Sequence, residues 1–195
     1  MPATLANSAS VNLSGIVISA IYSLSSVGFY SLANRTLGMP GNLIGKSLSK
    51  VYHKEAVDQM KKHGNAKSVF LSTVKKLTMV SLPLFVVIFI FAEDIFAVVF
   101  GEEWRTAGSF AKILIPLLFI RFIVAPVSVS LSVFEKQNIS LFWQLGLLFL
   151  TLLVFALTWI IGWHIKTFLI YLVSILFLYY ILFIFILWKV VSGKL

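Results

Sequence analysis

Apolar runs of membrane length alternate with short charged links along this chain. Each run is close to the ~20 residues that a helix needs to cross a hydrocarbon core of about 30 Å. Spans fit at residues 5–25, 27–51, 68–91, 110–133, 141–163 and 167–188. The expected fold is therefore all-α, a polytopic membrane bundle of about six transmembrane helices forming one lobe over residues 1–195, with a helical connector at 52–67. The pattern is graded. The first two spans carry Asn7, Ser8, Ser10, Asn12, Ser14, Ser19, Asn34, Arg35, Asn42 and Lys46, whereas the last two are almost uniformly Leu, Ile, Phe, Val and Tyr. Helices that polar cannot face lipid on every side, so the first pair should line a protein interface or a wet cavity and the last pair the outer shell. Gly15, Ala20, Gly38, Gly41 and Gly45 would let neighbouring helices approach closely.

Composition excludes a soluble alternative. The chain is 59% hydrophobic and 12% charged, with a mean hydropathy of +0.99. Too few polar residues remain to cover a water-facing surface. There is no cysteine, which excludes disulfides and thiol chemistry. The net charge of +9 does not point to nucleic acid, because the lysines flank apolar spans. Lys54, Lys61, Lys62 and Lys67 fill the 52–67 connector, with Lys46, Lys50, Lys75 and Lys76 beside it. The positive-inside rule makes that side cytoplasmic. Alternation then puts the acidic 92–108 link outside and both termini inside. Trp104, Trp143, Trp163 and Trp188 fall at span ends, where an aromatic belt belongs. No charged side chain precedes Arg35 and no secretory signal is evident, a start expected of a fragment or split gene.

The candidate chemistry is cationic. Arg35 lies about 10 Å into its span, counting 1.5 Å per residue from Gly28. It either snorkels to an interface or contacts an anion in a cavity, and its planar fork suits phosphate or carboxylate. Arg121, between Pro116 and Pro126, has apolar sequence neighbours and must point inward. Lys46 is a further cation, or a snorkelling anchor. With Asn34 and Asn12 these are the candidate substrate-binding residues. Gly38, Pro40 and Gly41 place three helix breakers together and form the candidate hinge. Glu93, Asp94, Glu102 and Glu103 read as acids at a helix start rather than as a cation site. His53, His63 and His164 lack zinc spacing, and no phosphate loop or nucleophile motif is present. No catalytic residue, metal or cofactor is expected, and the chain does not read as an enzyme.

Two stretches resemble a known family. Residues 28–40 (GFYSLANRTLGMP), continuing through Leu43, Ile44, Gly45, Lys46, Val51 and Tyr52, resemble a helix of bacterial polysaccharide-export flippases. Residues 100–108 (FGEEWRTAG), then Ala111 to Pro116, Arg121, Phe122, Ala125 and Pro126, are the more specific match. These Wzx-like proteins belong to the multidrug/oligosaccharidyl-lipid/polysaccharide transporter superfamily. The resemblance implies a flippase of the bacterial inner membrane, moving undecaprenyl-diphosphate-linked oligosaccharide for O-antigen, capsule or exopolysaccharide assembly by alternating access. Such proteins have two six-helix lobes around a cationic cavity, and this chain resembles the C-terminal lobe alone. The implied partners are membrane lipids, the lipid-linked oligosaccharide and a separate or missing N-terminal lobe. The alternatives are a drug or metabolite exporter of the same superfamily, or a non-transporting membrane scaffold that pairs with another subunit.

Overall fold

A computed structural model of the chain describes residues 18–194, without the side chains of Pro40, Asn42 and Leu43. Residues 5–17 of the first expected span, with Asn12, lie outside the described residues. The helices are α1 (Leu24–His63), α2 (Lys67–Phe100), α3 (Arg105–Val127), the short α4 (Ser130–Val133), α5 (Gln137–Ile161) and α6 (Ile165–Val191). A 3₁₀ turn, Glu102–Trp104, joins α2 to α3, and no strand occurs among the described residues. Lys67–Phe100, Glu102–Val133, Gln137–Ile161 and Ile165–Val191 are each long and apolar enough to cross a membrane. The protein is a multi-pass helical membrane bundle.

The second expected span and the connector after it form one helix. α1 runs for 40 residues without a break at Gly38, Pro40 or Gly41, about 60 Å at 1.5 Å per residue and twice the hydrocarbon thickness. Ser23 caps its start by accepting the Ser26 N–H at 3.3 Å. Gly64, at φ 69°, ends it in the left-handed conformation. The far half stays helical because its side chains have tertiary partners. Tyr52 is buried and shares a hydrogen bond with Ser130 at 2.5 Å. Gln59 secures the start of α2, where its Oε1 accepts the Val69 N–H at 3.1 Å and its amide nitrogen bonds Ser68 Oγ.

The centre of the bundle is α3. It packs along α1, α2 and α6, and half of its most apolar window is buried against 17% for α2. Close approach is a matter of small residues. A Cβ on Gly108 would lie 2.5 Å from Glu93 Cα, so α2 and α3 meet backbone to backbone there. A Cβ on Gly41 or Gly45 of α1 would lie 3.6 Å from Phe122 or 3.8 Å from Ala125 of α3. These contacts redistribute core and shell. The sixth span, expected to lie outside, buries Phe168, Leu169, Leu172, Val173 and Leu176. The third presents Met79, Val80, Leu82 and Leu84 to its surroundings. Hydropathy measures how apolar a face is, and packed and lipid-bathed faces are equally apolar.

Charge separates the two ends of the bundle. At one end the Ala66 N–H donates to Val191 O at 3.0 Å, Lys67 and Lys194 lie over the Trp188 ring, and Lys189 lies over Phe185. At the other, Arg105 binds Asp94 at 2.7 Å and Glu102 at 2.5 Å, while Lys112 binds Glu93 at 3.2 Å. The acidic link thus ties the α2–α3 corner together.

A polar cavity between α1, α3 and α5

A cavity of about 440 Å³ opens between the α1–α3 pair and the α5–α6 pair. It exists because α5 packs on α6 and α4 and hardly meets α1. Each wall is one helical face. Asn34, Leu37, Gly38 and Gly41 come from α1, Leu118, Arg121, Phe122 and Ala125 from α3, and Ser140, Trp143, Gln144 and Leu147 from α5. All three sets follow the i, i+3, i+4, i+7 spacing that lines up side chains on one side of a helix. Tyr180 and Phe183 of α6, Phe85 of α2, and Val124, Ser128 and Leu131 complete the lining.

Arg121 is the charge in this cavity. Its guanidinium lies 5.4 Å from the centre of the Tyr180 ring, an attractive contact with the ring's electron-rich face. Its Nε is buried without a hydrogen-bond acceptor. Gln144 donates to Ser140 Oγ at 3.4 Å while its Oε1 is buried without a donor. Among the described residues the ion pairs involve Arg105 and Lys112 and leave Arg121 out. Buried polar groups are ordinarily satisfied, so a cavity holding two that are not is suited to a polar guest.

The expected binding set separates here. Asn34 and Arg121 both line the cavity. Arg35 and Lys46 are exposed and do not line it. Consecutive helical residues point about 100° apart, so Asn34 and Arg35 cannot share a face. Arg35, Met39, Lys46 and Lys50 are all exposed, and their spacings of 4, 7 and 4 residues place them in one stripe, roughly a third of the way round α1 from the cavity. Of the hinge candidates, Gly38 and Gly41 line the cavity, and a Cβ on Gly38 would meet nothing within 4 Å.

Residues of the fifth span complete the site, and the sequence reading had placed that span in the outer shell. Gln144 was the available signal, as an amide inside an otherwise apolar helix. Trp143 also moves, from the expected interfacial belt to the cavity wall. It is buried, stacked against Tyr179 at 3.6 Å and Phe183 at 4.1 Å. Tyr179 donates its hydroxyl to Trp143 O at 3.2 Å across Gly146, where any Cβ would overlap the phenol. Gly146→Ala must therefore push Tyr179 off the Trp143 ring. Overpacking of this kind costs about 1–3 kcal/mol, and thermal unfolding in detergent should show a lower midpoint. An unchanged midpoint would show that Tyr179 is free to move.

Known proteins resemble this chain in sequence. Residues 1–109 match the family described as polysaccharide biosynthesis protein. The teichuronic acid biosynthesis protein TuaB of Bacillus subtilis (strain 168) is 23% identical over 146 residues, covering 75% of this chain. The chain spans about 30% of that relative's length. No solved structure matches. More than half of the sequence, including all of α1 and α2 and the α2–α3 corner, falls within the matched region, and the chain belongs to the polysaccharide biosynthesis protein family.

Proposed function

We propose that this chain is part of an inner-membrane flippase that translocates undecaprenyl-diphosphate-linked oligosaccharide by alternating access. The observation that carries the reading is the exposed stripe of Arg35, Met39, Lys46 and Lys50 on α1. An arginine and lysines on a helix inside an apolar bundle are costly against lipid, so this stripe faces water or another lobe. Its chemistry fits a diphosphate head. Cationic side chains offset the desolvation of that head, while the lipid tail stays in the bilayer. The opposing wall is a further lobe, supplied by the rest of a longer protein or by a separate chain. Both termini then lie on the cytoplasmic side, together with the lysine-rich end of the bundle.

Deleting the gene from its host tests the reading. Lipid-linked oligosaccharide should still be made but should accumulate on the cytoplasmic leaflet, out of reach of an externally added sugar-modifying enzyme. If synthesis of the lipid-linked sugar stops instead, the chain acts before translocation and the flippase reading fails.

A further inference from the structure

The cavity at Arg121 points to a second kind of ligand. Among the described residues, the buried side-chain atoms without a hydrogen-bond partner are Ser109 Oγ, Arg121 Nε and Gln144 Oε1, and the last two line this one cavity. Their needs are opposite. Arg121 Nε–H is a donor without an acceptor, and Gln144 Oε1 is an acceptor without a donor. The Tyr180 ring lies 5.4 Å from the guanidinium carbon, a contact that supplies no acceptor oxygen for the Nε–H. A phosphate ester whose alcohol carries free hydroxyls answers both, because its phosphoryl oxygens accept from arginine and its hydroxyl donates to a carbonyl.

The surroundings choose a lipid. Leu37, Phe85, Leu118, Phe122 and Leu147 make the remaining walls apolar, and the volume of about 440 Å³ is that of a headgroup-sized site. Because α5 hardly meets α1, acyl chains can leave between these helices into the bilayer. We propose that this cavity binds the headgroup of an anionic phospholipid bearing free hydroxyls, with its phosphate on Arg121 and a hydroxyl on Gln144 Oε1. The inference does not need the transport reading, since Arg35 and its stripe lie off this cavity. Either can fail while the other stands.

The test measures thermal unfolding of the purified chain in detergent against added phosphatidylglycerol, phosphatidylcholine and glycerol 3-phosphate. Phosphatidylglycerol should raise the midpoint, and phosphatidylcholine, which lacks the hydroxyls, should not. An equal response to glycerol 3-phosphate would assign the site to soluble esters and overturn the lipid assignment. Arg121→Gln should weaken phosphatidylglycerol binding about tenfold to a hundredfold, the worth of a charge-assisted hydrogen bond. Gly38→Leu fills the cavity from its open α1 side and should weaken binding as much while leaving the charge in place. It decides the matter if Arg121→Gln does not fold. Lys76→Gln, which removes an exposed charge from α2 away from the cavity, should bind as the parent does. Phosphatidylglycerol binding that survives Gly38→Leu overturns the proposal. So does a Gln144→Leu variant that binds normally, since Gln144 would then serve only the protein's own packing.

Discussion

Arg35→Glu in the complete protein is expected to abolish polysaccharide export, and Arg35→Ala to reduce it by about thirtyfold or more. The estimate follows from the ~2–5 kcal/mol lost when one partner of a desolvated charge pair is removed. Arg35 is exposed on α1 and has no ion pair among the described residues, so its charge is not committed to holding the bundle together. Truncation should therefore leave folding intact and remove an anion contact. Reversal does more, because it sets a carboxylate against the diphosphate proposed as substrate, in a stripe otherwise made cationic by Lys46 and Lys50. Complementation of a flippase-deficient strain is the measurement, with membrane levels of each variant checked in parallel. Normal export by both variants would remove Arg35 from the transport path. Arg35→Lys separates charge from shape. A point charge retains attraction but not the bidentate fork, so partial export is expected.

Gly108→Ala should be the most destabilising small substitution in the described bundle. Its Cβ would lie 2.5 Å from Glu93 Cα and 2.6 Å from Ala92 O, and these are backbone atoms that no rotamer change can move aside. α2 and α3 would have to separate by roughly 1 Å to reach ordinary contact. That displacement would strain the neighbouring Lys112–Glu93 and Arg105–Asp94 pairs and loosen the Phe85–Phe119 packing further along. A loss of about 3 kcal/mol is expected, at the upper end for overpacking. Thermal unfolding in detergent checks it against Gly28→Ala, where the added methyl meets nothing within 4 Å. Equal midpoints for the two variants would mean that the α2–α3 approach is looser than described.

The two substitutions touch features that were unequally legible. Arg35 stood out because a charge is conspicuous in an apolar chain. Gly108 did not, because a glycine in a membrane helix carries no mark of what it abuts. The cavity shows the same asymmetry. Asn34 and Arg121 were both named from sequence, yet their lining one cavity depends on α1 and α3 lying side by side. Gln144 and Tyr180 went unnamed because they belong to spans whose greasiness suggested a lipid-facing shell. Trp143 was read as interfacial because of its place near a helix end, whereas stacking with Tyr179 and Phe183 turns it inward.

Sequence alone determined that this chain is helical and lives in a membrane. Its apolar runs have membrane length, and without water every backbone group must be satisfied within its own helix. It also determined that lysines gather at one end, since alternating spans bring every second link to the same side. Only the tertiary structure decided between Asn34 and Arg35. Helical periodicity sets the angle between two side chains but not the rotation of the helix against its neighbours. On α1 that rotation is set by its packing along α3, with Gly41 and Gly45 on the side facing Phe122 and Ala125. That packing puts Asn34 on the wall of the cavity that Arg121 also lines and leaves Arg35 on the exposed stripe.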